Sequence, residues 1–83
     1  MNTTSQSLAF GEEVRTARQA KKISQQALAE AAGCSQRLIS ELERGKASVE
    51  LGKALAVAEA LDLRFSLQPI QKPSSVRQLT DYL

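Results

Sequence analysis

The amino-acid sequence predicts a small all-α domain. Residues 25–32 contain only Gln, Ala, Leu and Glu, which are good helix formers. Ser24 precedes this run and Gly33 follows it, as residues that typically begin and end a helix do. Apolar residues recur at helical spacing on both sides of the run. The 83 residues suffice for one domain with tails, and dimerisation would help stabilise a domain of this size.

The central stretch predicts two short helices joined by a tight turn. Ser24 caps the first helix, which ends at Gly33, and Ser35 caps a second helix of about residues 36–44. Two helices with a three-residue connection that contains glycine are typical of the helix-turn-helix motif.

The second helix has two chemically different faces, because successive residues are about 100° apart. The apolar face consists of Leu38, Ile39 and Leu42. The polar face consists of Gln36, Arg37, Ser40, Glu41 and Arg44. Gln pairs with adenine, Arg with guanine, and Ser with a donor or an acceptor. A solvated surface would have similar residues, but the capped helix and glycine turn before it favour DNA reading.

Residues from about Phe10 to Leu63 resemble the helix-turn-helix domain of the phage-repressor and Cro-like (XRE) family. The matching residues are Val14, Arg18, Ile23, Ser24, Gln25, Leu28, Ala29, Gly33, Ser35, Gln36, Ile39, Ser40, Glu43, Arg44, Gly45, Ala58 and Leu61. The resemblance implies a lambda-repressor-like domain of four or five helices that binds double-stranded DNA at a palindromic operator. It also implies a homodimer.

The recognition helix is expected to enter the major groove with its N-terminal end toward the bases. The expected base-reading residues are Ser35, Gln36, Arg37 and Ser40. Gln25 is expected to hold a phosphate with the amides of its helix. Further candidates for backbone contacts are Ser24, Gln26, Arg44 and Lys46. Glu41 is unusual on this face: it accepts from cytosine, or it orients Arg37 or Arg44.

The resemblance also implies a structural ion pair between Arg18 in the first helix and Glu43 at the end of the recognition helix. Glu43 lies at the edge of the apolar face, which suits a partly buried pair. Such a pair would tie the first helix to the recognition helix.

The segments before the central stretch predict a mobile leader of residues 1–7 and a first helix from about Leu8 to Lys22, capped by Ser7. An apolar stripe at helical spacing predicts the buried face of this helix. Its opposite side carries Arg15, Lys21 and Lys22, which either follow a phosphate backbone or only solubilise the helix. The helix-turn-helix domain is expected to span residues 8–63.

A loop and a further helix, from about Glu50 to Leu61, follow Gly45. The sequence departs here from the family it resembles. Val49 stands at the usual proline position, and Glu50 stands at the usual capping serine. Ser48 is the alternative cap.

The alternation of Leu63, Phe65 and Leu67 with polar residues predicts a strand at residues 64–69. Since a lone strand leaves its backbone groups without partners, we expect it to pair with the same strand of a second subunit. The alternative is an extended tail folded over its own domain. Residues 70–83 read as a linker and tail that is either disordered or ordered against a partner.

Composition argues against an enzyme. The chain has no histidine and a single cysteine, Cys34, so it lacks the residues for a Cys/His metal site or an activated thiol. Neither a cofactor nor a metal is expected. The net charge of +2 and pI near 9.0 permit nucleic-acid binding. No apolar run is long enough to span a membrane, and no signal peptide is evident, so a cytoplasmic protein is expected.

The order of helical domain, strand and short tail resembles HipB-type antitoxins. These are DNA-binding autorepressors whose partner is a HipA-like serine/threonine kinase toxin. This resemblance implies that the chain represses its own operon and neutralises such a kinase. The alternatives are a stand-alone phage-type regulator and a protein-binding adaptor on the same fold.

Overall fold

The computed structural model describes residues 2–70, which form four helices. These are α1 (Ser5–Ala20), α2 (Gln25–Ala32), α3 (Gln36–Glu43) and α4 (Leu51–Ala60). Helix α2 packs against α3 and α4, while α1 packs against α3. The predicted all-α class is confirmed, with four helices in the described part of the chain and α2–α3 as the helix-turn-helix unit.

The ends of α2 and the start of α3 lie where the sequence signals predict them. Ser24 Oγ accepts from the backbone N–H of Ala27 at 3.0 Å, and Ser35 Oγ accepts from that of Leu38 at 3.1 Å. Gly33 ends α2 with φ 72°, a left-handed conformation that costs glycine little. Helix α3 ends at Glu43, one residue before the predicted end.

Helix α1 begins at Ser5 and ends at Ala20, so the prediction of Leu8 to Lys22 is shifted at both ends. The cap is Thr4, whose Oγ1 accepts from the Ser7 N–H at 3.0 Å. Ser7 Oγ in turn accepts from the Thr4 N–H at 2.7 Å. Ser7 therefore completes a reciprocal capping box from inside the helix, and the C-terminal part of the predicted leader is helical.

Helix α4 lacks a side-chain cap at its N-terminus. Its capping position is Glu50, whose side chain makes no capping hydrogen bond, and the predicted alternative cap, Ser48, lies further back in the preceding loop. Helix α4 is held instead by packing, because Val57 and Ala58 are buried.

The core lies where the inner faces of the four helices meet. The buried residues are Val14, Leu28, Ala29, Ile39, Leu42, Val57, Ala58 and Leu61. Cys34 packs against this core as a partly buried side chain, and burial raises the pKa of its thiol. Cys34 therefore packs as a small apolar residue would. No helix within residues 2–70 combines the length and apolar character needed to cross a membrane.

The strand predicted at residues 64–69 is absent from the described chain. Residues 63–70 form no strand and pair with no described segment, and their pairing with a second subunit stays a prediction. Leu63 packs against the core instead, and the Phe65 ring lies 6.2 Å from the Phe10 ring at 60°. Leu67 is 88% exposed. Only the first part of the segment, up to Phe65, follows the alternative of a tail lying over its own domain. Residues 71–83 lie outside the described part.

The N-terminal residues pair with the loop between α3 and α4. Ala47 N–H donates to the carbonyl of Asn2 at 2.7 Å, and Thr3 forms an isolated antiparallel bridge with Lys46. Ser7 Oγ also donates to the Gly45 carbonyl at 2.6 Å. These contacts fix the start of the loop against the start of α1.

Gly11 allows the close approach of α1 to α3. A Cβ atom at this position would lie 2.3 Å from the Leu42 carbonyl oxygen and 2.9 Å from that of Glu43. Both obstacles are backbone atoms, so a side-chain rotation cannot relieve the contact.

We therefore expect Gly11→Ala to lower the free energy of unfolding by about 1–3 kcal/mol, because α1 must move away from α3. Denaturant unfolding followed by circular dichroism measures the change. Gly52→Ala is the matched control, since a Cβ at Gly52 meets nothing within 4 Å. It should raise stability by up to about 1 kcal/mol through helix propensity. Equal midpoints for the two variants would contradict the steric account.

Candidate nucleic-acid interface

Helix α3 buries its apolar side and exposes its polar side. Ile39 and Leu42 are 0% and 3% exposed, whereas Gln36 and Arg37 lie on the surface. We call the outward residues the recognition surface. It consists of Ser35, Gln36, Arg37, Ser40 and Arg44, of which Ser40 is half-buried. The four predicted base-reading residues are thus brought together at the N-terminal half of one helix.

Two polar clefts flank the recognition surface. The first, of about 380 Å³, is lined by Arg15, Arg18, Gln25, Ser40, Glu43 and Arg44. The second, of about 250 Å³, is lined by Ser35, Arg37, Leu38, Glu41, Lys46, Ser48, Val49, Glu50 and Lys53. Cationic side chains therefore lie on both sides of α3. A helix inserted into a major groove needs such cations, because a phosphate backbone runs along each side of it.

The Glu43 carboxylate connects three helices at the floor of the first cleft. Arg18 donates to it from Nε at 2.6 Å and from Nη2 at 3.1 Å, and Gln25 Nε2 donates at 3.2 Å. Arg18 Nη1 also donates to the Ile23 carbonyl at 2.9 Å. The hydrogen bond to Glu43 raises the pKa of Arg18.

Arg18 and Glu43 form the ion pair between the first helix and the end of α3 that the resemblance implies. Their side chains are only 14% and 4% exposed. All three guanidinium nitrogens of Arg18 are used inside the protein, so it is not placed to bind a phosphate. Gln25, which we expected to hold a phosphate, donates its amide inward to Glu43 and thereby fixes the start of α2.

Glu41 lies in the second cleft and contacts two predicted DNA-binding residues. Its Oε1 accepts from Arg37 Nε at 2.9 Å, and its Oε2 accepts from Lys46 Nζ. These two hydrogen bonds, the one from Lys46 first, lower the pKa of the Glu41 carboxyl. The sequence left open whether Glu41 contacts cytosine, Arg37 or Arg44, and in the structure it contacts Arg37. The sequence did not predict its contact with Lys46.

The remaining predicted contacts lie around the first cleft and the start of α2. Arg44 turns back along α3, where its Nη2 donates to Ser40 Oγ at 3.2 Å and its Nε to the Ser40 carbonyl at 3.4 Å. Ser24 and Gln26 are exposed at the N-terminus of α2. The hydroxyl of Ser24 is engaged in capping that helix.

Two further cations lie beside the recognition surface: the sequence left Arg15 between two roles and did not mark Lys53. Arg15 lines the first cleft with Ser40, whereas Lys21 on the same helix pairs with Asp62 at 2.9 Å, away from α3. Lys53 lines the second cleft. Helical spacing placed Arg15 on a basic side of α1 without showing what it faces. No sequence signal marks Lys53, because only the packing of α4 brings it to this cleft.

We expect Arg18→Ala to lower the free energy of unfolding by about 3 kcal/mol, because it leaves the buried Glu43 carboxylate without its cation. Lys21→Ala is the matched control at the end of the same helix. Its pair with Asp62 is 41% and 83% exposed, so the loss should stay below about 1 kcal/mol. Thermal and denaturant unfolding of both variants measures the difference. Similar losses in the two variants would show that the Arg18–Glu43 pair stabilises the fold no more than an exposed ion pair does.

Comparisons with known proteins agree with this geometry. The helix-turn-helix family matches residues 14–68. The chain is 39% identical over 70 residues to the uncharacterized HTH-type transcriptional regulator y4dL of Sinorhizobium fredii. That match covers 84% of this chain but only 36% of the relative's length. The structure is also similar to the restriction-modification controller protein C.AhdI from Aeromonas hydrophila. The TM-score is 0.66 at 34% identity, covering 74% of this chain and 92% of that protein.

Proposed function

The chain belongs to the helix-turn-helix family, which implies binding to double-stranded DNA, and from this premise we propose that it is a sequence-specific transcriptional repressor. One observation carries the proposal. The polar face of α3 is held outward by buried Ile39 and Leu42, and it lies between two clefts that are lined by lysine and arginine side chains. By occupying its operator, the protein excludes the transcription machinery from that DNA.

Base reading is assigned to the N-terminal half of α3. Arg37 reads guanine through two donors, Gln36 reads adenine, and Ser35 and Ser40 contact either edge. The Arg37 side chain is 88% exposed, so it reaches beyond the helix surface toward the floor of a groove. Its length and exposure make it the principal reader.

Backbone contacts are assigned to the two sides of α3. Arg44 and Arg15 face one strand from the first cleft, and Lys46 and Lys53 face the other from the second. The N-terminus of α2, at Ser24, Gln25 and Gln26, supplies backbone N–H groups and a favourable dipole to a phosphate, while the Gln25 side chain stays on Glu43. Phosphate contacts of this kind fix the register in which base reading takes place.

A homodimer on a palindromic operator completes the proposal. Its half-sites lie about 34 Å apart, or a multiple of that distance, so that both recognition helices face the same side of the duplex. Exposed apolar side chains on α4 and on the segment after it support an association surface. They are Leu51, Leu55, Phe65, Leu67 and Ile70.

Three biological settings are open to such a repressor. The first is the antitoxin of a HipBA-type module, which autorepresses its operon and binds a HipA-like kinase. That assignment relied partly on a strand that residues 63–70 do not form. The second is control of a restriction-modification gene pair, which the similarity to C.AhdI over 92% of that protein supports. A stand-alone phage-type regulator has neither partner.

Purification of the protein from its native operon distinguishes these settings. A co-purifying serine/threonine kinase would establish the antitoxin setting. The controller setting would be established if operator DNA co-purified without a kinase and the operator lay next to genes for a nuclease and a methyltransferase. Protein that retains no DNA at low salt would identify an adaptor and overturn the repressor proposal, because adaptors lack phosphate-driven binding.

We expect Arg37→Ala to weaken operator binding by about 1–3 kcal/mol and to relax the preference at one base pair in each half-site. Binding-site selection followed by titration of the selected duplex measures both effects. Arg64→Ala is the matched control, because Arg64 is an exposed arginine after α4, outside the recognition surface. It should leave the selected sequence unchanged.

Lys46→Ala in the same assay separates a backbone contact from a base contact. It should weaken binding to all sequences alike and reduce the slope of log affinity against log salt by about one. A selected sequence unchanged by Arg37→Ala, or a sequence-dependent loss in Lys46→Ala, would reverse these assignments.

A further inference from the structure

We propose that Glu41 is a positioning residue that sets sequence specificity by holding Arg37 and Lys46 with one carboxylate. The proposal rests on the proposed function, since it concerns how that interface chooses its DNA. The Glu41 side chain is 17% exposed, and each of its carboxylate oxygens accepts from a different cationic side chain. One side chain therefore links the principal base reader to a phosphate contact in the next loop.

The contact with Arg37 leaves its reading edge available. Glu41 accepts from Nε, the nitrogen nearest the backbone, at 2.9 Å. The two terminal nitrogens, Nη1 and Nη2, are not used by this hydrogen bond and can provide the pair of parallel donors that guanine O6 and N7 accept. Fixing Nε orients the planar group before DNA arrives, so less side-chain entropy is lost on binding.

The contact with Lys46 ties this orientation to a fixed part of the chain. The Lys46 backbone N–H donates to the Glu41 carbonyl at 3.0 Å, and the lysine side chain returns to the Glu41 carboxylate. The same residue bridges to Thr3. The ammonium of Lys46 has three N–H donors, so it can hold Glu41 and still bind a phosphate.

A carboxylate on this surface also acts against unselected DNA. It repels the phosphates of every duplex, and the repulsion is offset only where Arg37 meets its base. Glu41 is therefore expected to lower affinity for unselected DNA while increasing the discrimination between that DNA and the operator. A residue with a purely structural role would not change these two quantities in opposite directions.

The test compares Glu41→Ala with Glu50→Ala in the full chain. Glu50 lines the same cleft, and its side chain makes no capping bond, so its removal deletes the same charge from the cleft and leaves the hydrogen bond between Arg37 and Glu41 in place. Binding to the selected operator and to an unrelated duplex is measured for each variant. Glu41→Ala should reduce the ratio of the two affinities at least fivefold, with the loss at the base pair that Arg37 reads. Glu50→Ala should leave this ratio unchanged.

Two further variants keep the outcome decisive. Glu41→Gln retains an oxygen that accepts from Arg37 and should preserve an intermediate ratio, even if Glu41→Ala folds poorly. Arg37→Ala combined with Glu41→Ala should lose no more discrimination than Arg37→Ala alone. A nitrogen-15 NMR spectrum of the DNA-free protein should show faster exchange of the Arg37 Nε–H in Glu41→Ala.

Equal ratios for Glu41→Ala and Glu50→Ala would overturn the proposal, and so would a loss at a different base pair, which would make Glu41 a reader itself. In both cases the wild-type protein still selects a sequence. Wild-type protein that selects no sequence would instead overturn the proposed function, and the positioning role with it.

Discussion

The convergence of three N–H donors on the Glu43 carboxylate holds the recognition helix in place. Arg18 comes from α1, Gln25 begins α2, and Glu43 ends α3, so one buried group fixes the relative placement of three helices. Close by, Gly11 allows α1 to touch the carbonyl groups at the end of α3. A change in the distance between α1 and α3 would disrupt both the hydrogen bonds to Glu43 and the contact at Gly11. The orientation of the outward face of α3 would then change.

Glu41 and Glu43 are identical side chains whose positions on α3 give them different contacts. They lie two residues apart and therefore point in different directions. Glu43 turns inward to Arg18 and is 4% exposed, whereas Glu41 turns to the edge of the recognition surface and contacts Arg37. The inner carboxylate stabilises the domain, and we assign to the outer one the control of a reading side chain.

Local signals in the sequence predicted the helix-turn-helix unit well, because each depends on groups that are neighbours in the chain. Ser24, Gly33 and Ser35 mark boundaries by their own hydrogen bonds and backbone conformation. Ser7 was ambiguous, since a serine near a helix start suits either the cap or the third position within the helix. The alternation of apolar and polar residues at 63–67 was also ambiguous. A strand would produce it, but so does an extended segment whose Phe65 ring packs on Phe10. The surroundings of Arg15, Lys46 and Lys53 depend on tertiary packing, which no local pattern reports.

The pairing of the N-terminal residues with the α3–α4 loop has a consequence for the thermodynamics of association. Loops that carry cationic contacts often become ordered only when they meet a polyanion, and the ordering entropy then opposes complex formation. Here Asn2, Thr3 and Ser7 already hold residues 45–47 when the domain folds. This loop is therefore ordered when the domain folds, so its ordering would not oppose the proposed contact of Lys46 with a duplex, while counterion release would favour that contact.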